Sequence, residues 1–378
     1  MKIGIDIRVL ASQRTGIGRL VKELVSNLAR VDKENQYILF YNTMKGSYPS
    51  DLPSQDNFKS ITARLPNKIL NICWAYSSIP KIEFFTGPLD VFHGPSFQMP
   101  PTGKAANVLS IHDLVFHIYP DLAIPSSVRH FGARLKEYIK RADIITTISD
   151  STAADIIKYF NVSPEKIRTI YPGATLLKHA TDHEIEETRT KYGLSKNFIL
   201  FVGCIEPRKN LARLLKAFER SNLWQDFELV LVGPKGWHTD EILSTWENLK
   251  CQKRIRWIDY VGDEYLSPLY SGASFLAYPS ILEGFGLPIL EAMSVGCPVL
   301  TSNISAMPEV AGEAAYLVDP FNLDSIADGL LTMASDSALR KSLSELGYQR
   351  VTAFTWEKMA RETIDAYRSA LQLRWRRP

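Results

Sequence analysis

The sequence predicts an α/β protein made of two doubly wound parallel sheets. Three observations lead there. The chain has 378 residues, more than one ordinary α/β domain holds. Short β-branched runs alternate with longer amphipathic segments from end to end, the mark of βα units. A polar stretch near the middle interrupts this alternation, which then restarts. Hydrophobic residues at 45% and charged residues at 22% supply enough material for two cores.

The elements follow in order. The first strand is expected at Ile3 to Ile7, and Gly16 and Gly18 then open a helix. Its apolar positions Leu20, Val21, Leu24, Val25 and Leu28 keep a 3.6-residue period. Further strands are expected at Tyr37–Tyr41, Leu89–His93, Ala106–Ile111, Ile144–Ile148 and Ile167–Ile170. The polar stretch from Pro172 to Lys196 suits a linker with an exposed helix. Phe198 to Val202 is wholly apolar, as a central parallel strand is, and Gly203 ends it. Strands then fit Glu228–Val232, Ile255–Val261, Ser274–Tyr278 and Pro298–Thr301. Thr355 can cap a final helix in which Trp356, Met359, Ile364, Tyr367 and Leu371 share a face. Spacing alone leaves open whether that helix completes the second domain or returns to the first.

Composition excludes several classes. Lys and Arg number 44 against 41 Asp and Glu, too even a balance for a nucleic-acid protein. Cys73, Cys204, Cys251 and Cys297 are scattered without a C-x-x-C pair, which argues against a metal or disulfide framework and fits a reducing cytoplasm. No stretch approaches the ~20 apolar residues of a membrane span, and the start does not read as a secretory signal.

The most informative stretch is Ser280 to Gly296. Gly284 and Gly286 let the backbone turn sharply close to a ligand. Pro288 suits a first helical turn and Gly296 a helix stop. The helix start would offer free N–H groups and a positive dipole end to an anion. Glu283 in the turn and Glu291 one turn into the helix are suited to accept hydrogen bonds from sugar or ribose hydroxyls. The plain alternative is a solvated loop carboxylate and a dipole-complementing one. Gly203 to Leu211 is the second element, with Arg208 and Lys209 just before a helix. A departing diphosphate carries about two negative charges that must be stabilised. Arg208 offers it a fork and Lys209 a compact charge. No Asp-x-Asp pair occurs in the chain, so no metal is expected and the cations would take its place.

These residues resemble the family-four retaining glycosyltransferases of GT-B fold (group 1 glycosyltransferases). EGFGLPILEAM from Glu283 carries the two-glutamate signature of that family. The resemblance extends to TGIGR at Thr15–Arg19, HDL at His112–Leu114, RADIITTIS at Arg141–Ser149, EPRKNL at Glu206–Leu211 and LVGPKGW at Leu231–Trp237. PVLTSN at Pro298–Asn303, MPEVAGEAAYLVDP at Met307–Pro320 and FTWEKMA at Phe354–Ala360 complete it.

The resemblance implies two Rossmann-like domains facing across a cleft. Residues 1–175 with a returning helix at 356–378 would bind the acceptor, and residues 176–355 the nucleotide sugar. It further implies that Glu291 holds the ribose, that Glu283 contacts the transferred sugar, and that Arg208 and Lys209 face the diphosphate. Gly284, Phe285, Gly286 and Leu287 would surround sugar and phosphate, with Gly203 and Val261 also on the donor side. Gly16 and Gly18 would form the first-domain loop beside the diphosphate. His112 would lie near the transferred sugar and Asp113 on the acceptor side. Many members carry an arginine directly after the strand glycine; Cys204 stands there here. No cofactor is implied beyond the nucleotide-sugar co-substrate. EPRKNL and FTWEKMA look most like bacterial mannosyltransferases of surface-polysaccharide assembly, which implies GDP-mannose as donor and a glycan or lipid-linked saccharide as acceptor. A UDP-sugar donor is the alternative.

Three other classes fit less well. A nicotinamide oxidoreductase would show G-x-G-x-x-G with an acidic residue ~20 positions on, which neither half does. A sugar-nucleotide epimerase shares the cleft but needs no acceptor. A non-catalytic sugar-nucleotide-binding protein would not need Arg208, Lys209, Glu283 and Glu291 together. Two regions suit an anionic bilayer surface: Arg64 to Phe85, with Lys68, Trp74, Tyr76, Lys81, Phe84 and Phe85, and the basic end Arg374-Trp375-Arg376-Arg377. An ordinary acceptor-side loop and a frayed terminus are the alternatives there.

Overall fold

A computed structural model describes residues 1–11, 16–44, 49 and 51–375. Thr15 of the first glycine motif, the Lys68 and Tyr76 side chains, Arg376 and Arg377 fall outside what is described. The chain divides into two compact units. The first holds Met1–Leu114, Ser127–Gly173 and Thr355–Pro378; the second holds Val115–Ser126 and Ala174–Phe354.

The first unit is a seven-stranded sheet. Its strands are β1 (Lys2–Asp6), β2 (Gln36–Asn42), β3 (Phe58–Ala63), β4 (Val91–Gly94), β5 (Ala106–Ile111), β6 (Ile144–Thr147) and β7 (Ile167–Thr169). They lie in the order β3-β2-β1-β4-β5-β6-β7, every pair parallel. Residues of β1, β4, β5 and β6 are almost wholly buried, which is why they read as continuous apolar runs.

The final helix, Trp356–Trp375, belongs to this unit. Met359, Ala360, Ile364 and Tyr367 join one core with Leu20, Leu24 and Leu28 of helix Gly16–Val31 and with Ile3 and Ile5. Thr355 accepts a hydrogen bond from the Lys358 amide at 3.2 Å and so caps the helix. Inside, the Tyr367 hydroxyl lies 2.9 Å from His93 Nδ1, and His93 Nε2 lies 2.8 Å from Ser110 Oγ. Burial lowers the pKa of His93 to about 3, so the ring is neutral and serves packing.

The second unit is a six-stranded sheet of β8 (Phe198–Val202), β9 (Glu228–Val232), β10 (Ile255–Ile258), β11 (Phe275–Tyr278), β12 (Val299–Ser302) and β13 (Ala315–Val318). The order is β10-β9-β8-β11-β12-β13, again all parallel. The polar stretch contains helix Asp182–Tyr192, opened by a capping box between Thr181 and Glu184 and anchored by buried Ile185 and Thr188. The segment Val115–Ser126, expected with the first half, groups here instead. Trp237 Nε1 donates to the Leu122 carbonyl at 3.0 Å and holds the segment in place.

Candidate active site

In the second unit the chain runs outward from β8 through β9 to β10, and in the other direction from β11 through β12 to β13. The neighbours β8 and β11 therefore flank a topological switch point, where open α/β sheets bind ligands beyond the carboxyl ends of their strands. The loops leaving these two strands carry both cations and Glu283, and the helix that follows the second loop carries Glu291.

After β8, Gly203 has φ +153°, and Pro207–Lys209 form one 3₁₀ turn. Asn210 ends the turn in the left-handed region at φ +62°. Its side-chain amide donates to the carbonyls of Pro279, 3.1 Å away, and Pro320, 2.7 Å away. The Ile281 amide donates to the Arg208 carbonyl at 2.8 Å. The two loops are thus tied backbone to backbone, which fixes where their side chains start.

Those side chains converge on Glu283. Lys209 Nζ donates to Glu283 Oε1 at 2.6 Å and to the Tyr278 hydroxyl at 2.5 Å. The Tyr278 hydroxyl donates to the same Oε1 at 2.9 Å. Arg208 Nη1 donates to Glu283 Oε2 at 2.6 Å and to the Leu282 carbonyl at 3.2 Å. Its Nε lies 2.5 Å from Oε1 of Glu206. Ser305 Oγ accepts from the Glu283 amide and donates to its carbonyl, at 3.1 and 3.0 Å. Lys209, Glu206 and Glu283 are all buried. Two guanidinium or ammonium charges meet two carboxylates, so the cluster is neutral as it stands.

The charge states follow from this packing. Burial pushes the Glu283 carboxyl upward, but Arg208 and Lys209 outweigh it and draw the pKa down to about 2. Burial, and then the neighbouring Arg208, lower that of Lys209. Glu206 is raised by burial. Burial and the charge of Glu206 raise the Cys204 thiol to about 11, which makes it a poor nucleophile.

Helix Leu287–Ser294 begins just beyond. Gly286 precedes it with φ +107°, a conformation that favours glycine, and Pro288 sits in its first turn. Glu291 is buried one turn in, and the Tyr270 hydroxyl donates to its Oε2 at 3.1 Å. Phe285 turns its ring into the interior, 5.5 Å from that of Phe354, so only its backbone remains for a ligand. Val261 is buried beyond the end of β10, which stops at Ile258.

The structure therefore brings Arg208, Lys209 and Glu283 into direct contact, with Gly203 beside Lys209 and Glu291 on the adjoining helix. His112, Asp113, Gly16 and Gly18 belong to the first unit. His112 Nε2 donates to the Pro95 carbonyl at 2.7 Å, which leaves buried Nδ1 as an acceptor with no hydrogen-bond partner among the described residues. Burial lowers its pKa. Asp113 is half-buried, Gly18 is buried, and Gly16 is exposed at a helix start. Glu206, Tyr278, Asn210 and Ser305 are site residues that sequence reasoning missed as such. Glu206 and Asn210 sat inside a quoted motif, and Tyr278 ended a recognised strand. Ser305 had no signal.

Residues 184–350 match the family model described as glycosyl transferases group 1, and residues 14–176 match glycosyltransferase family 4. The O-antigen chain mannosyltransferase B of Escherichia coli is 31% identical, the match covering 97% of this chain and all of that protein. The serotype-specific mannosyltransferase WbdA of Escherichia coli is 29% identical over 77% of this chain and 36% of its own length. Among solved structures, sucrose-phosphate synthase from Thermosynechococcus elongatus superposes with a TM-score of 0.76 at 20% identity, over 97% of this chain and 98% of that one. WaaG, a glycosyltransferase involved in lipopolysaccharide biosynthesis, gives 0.71 at 18% identity over 97% and 99% of the two chains. Two parallel-sheet units, a charged switch point and a full-length relative agree: the chain belongs to the group 1, family 4 glycosyltransferases of GT-B fold.

Proposed function

We propose that this enzyme transfers mannose from GDP-mannose, with retention of anomeric configuration, to a glycan or lipid-linked saccharide in bacterial surface-polysaccharide assembly. The observation that carries the proposal is the switch-point cluster, in which Arg208 and Lys209 are held side by side next to an amide-rich helix start. Mannose and the polysaccharide setting are supported by the names of the two Escherichia coli relatives.

In this mechanism the bond between the anomeric carbon and the β-phosphate oxygen breaks, its electron pair leaving with the nucleoside diphosphate. The acceptor hydroxyl attacks on the same face and passes its proton to that departing oxygen. The protein's part is positioning and charge stabilisation, with no metal assigned a step. Glu283 holds the cation pair until the donor arrives. The diphosphate then takes over Arg208 and Lys209, and the freed carboxylate accepts from the sugar hydroxyls. Glu291 accepts from the ribose.

A thermal-shift series with GDP and UDP tests the donor assignment. GDP at ~100 times its Kd stabilises by about 2.7 kcal/mol, a shift of several degrees in Tm. Glu291→Ala is expected to abolish the shift. Stabilisation of the wild type by UDP and not GDP overturns the choice of base.

A site on the cytoplasmic membrane face also belongs to this proposal. Among the described residues no helix is long and apolar enough to cross a membrane. Between Leu65 and Phe84, however, Ile69, Ile72, Ile79 and Phe84 are exposed by 58, 49, 60 and 79%. Ile69 and Ile72 share a face of helix Asn67–Tyr76, and Arg64 and Lys81 are exposed beside them in sequence. Trp74 takes no part: it is buried, donates from Nε1 to the Pro80 carbonyl at 2.7 Å and lies under Arg8. Phe85 likewise turns inward against Phe40. Each large apolar side chain immersed is worth roughly 1.5–3 kcal/mol. The double variant Ile72→Ser/Phe84→Ser is therefore expected to lower sedimentation with phosphatidylglycerol vesicles more than ~10-fold. Equal sedimentation of both proteins rules the patch out.

A further inference from the structure

The second unit contains a cavity of about 440 Å³ that the donor site does not use, within the ~300–1,000 Å³ range of small-molecule sites. One wall is the segment Ile118–Leu122, held to this unit by Trp237. Lys216, His238, Glu241 and Phe321 line it too. Pro207, Asn210 and Ile281 also line it. These last three belong to the two loops that carry Arg208, Lys209 and Glu283, so the cavity adjoins the backbone that holds the cation pair.

The lining decides the kind of ligand. Arg213 and Lys216 are matched by Asp121 and Glu241, so formal charge cancels and neither an anion nor a cation is favoured. Asp121, Lys216 and Glu241 make no ion pair or side-chain hydrogen bond with other described residues, so their polar groups remain for a ligand. Phe321 is 49% exposed, with the Arg213 guanidinium 5.7 Å from its ring centre, and Tyr119 supplies a second aromatic surface. Free donors and acceptors of both kinds around aromatic faces suit a neutral polyhydroxylated ligand, whose C–H faces pack on rings while its hydroxyls bond the charged groups.

We propose that this cavity is a saccharide subsite that holds part of the acceptor glycan away from its reacting end. It rests on the assignment of a glycan acceptor above, and it places a determinant of acceptor length in the nucleotide-binding unit. The Pro207–Asn210 turn then touches the acceptor on one side and presents Arg208 and Lys209 on the other.

The test uses the full chain with α-linked mannotriose as probe, read by saturation-transfer NMR, and GDP titrated in parallel by calorimetry. Mannotriose is expected to bind without donor. The double variant Tyr119→Ala/Phe321→Ala is expected to weaken it ~10-fold or more, as loss of two ring contacts does. Asp121→Asn, which keeps shape, is expected to weaken it as well. GDP affinity should persist in both variants, which also reports that they fold. With a trisaccharide acceptor, KM should rise ~10-fold at unaltered kcat, the pattern of lost uniform binding. Equal mannotriose binding by wild type and double variant overturns the subsite. So does wild type that takes GDP but neither mannotriose nor a glucose trisaccharide. If mannotriose binding is lost in the variants while no nucleotide binds even the wild type, the subsite stands and the proposed donor chemistry falls.

Discussion

Lys209→Ala is expected to lower the rate of sugar transfer by about 100-fold or more, the usual effect of losing one main charge-stabilising group. Lys209 is the more telling of the two cations because it is buried and compact, with Nζ held by Glu283 and Tyr278. Its charge acts in a low-dielectric setting where it counts for more than in water. Alanine also takes one of two donors from Glu283 Oε1, leaving the Tyr278 hydroxyl there, and Lys209→Arg separates a displaced carboxylate from lost charge. Arginine restores the charge without the point geometry and should recover only part of the rate. Steady-state kinetics at saturating donor is the measurement. Turnover near wild type in Lys209→Ala removes the lysine from the mechanism.

Glu283→Gln should act in two opposite directions. It leaves Arg208 and Lys209 balanced by Glu206 alone, so the cluster gains one positive charge. GDP affinity measured by calorimetry is then expected to rise, by about tenfold for each 1.4 kcal/mol of Coulomb energy released. Transfer should fall ~100-fold, because in the proposed mechanism this carboxylate takes the sugar hydroxyls. Stability carries a pH signature. The folded pKa of about 2 lies below the ordinary glutamate value near ~4.3, so the carboxylate stabilises the fold above that ordinary value and loses this role as pH falls through about 2. Removing one partner of a buried ion pair costs roughly 3–5 kcal/mol near neutrality. Urea denaturation should show the gap between wild type and Glu283→Gln narrowing from pH 7 to ~pH 3. A gap that does not change with pH, or weaker GDP binding by the variant, contradicts the ion-pair account.

Central elements were readable from the sequence because parallel strands covered on both faces must be apolar throughout. β8 and β11 are of this kind. β3 and β13 were not read. Both are edge strands, and Phe58–Ala63 and Ala315–Val318 each leave most of their residues partly or wholly exposed. At the site, glycine and proline spacing was enough to put Glu283 and Glu291 around a helix start, and Arg208 with Lys209 at a strand end. It could not show that Glu283 already occupies both cations, because that contact spans more than 70 positions of sequence. Nor could it show Val115–Ser126 with the second unit. That segment is a series of short turns without an apolar period, and one of its anchors is an indole more than a hundred residues away.

The placement of helix Trp356–Trp375 bears on synthesis. Strands and helices of the first unit leave the ribosome early, yet Met359, Ile364 and Tyr367 of their shared interior are made last. At ~5–20 residues per second, the intervening stretch takes on the order of ten seconds or more to translate. The second unit can therefore finish its interior while its older neighbour still shows an open apolar flank. During that interval the nascent chain presents chaperones with a client whose unfinished part is its amino-terminal half.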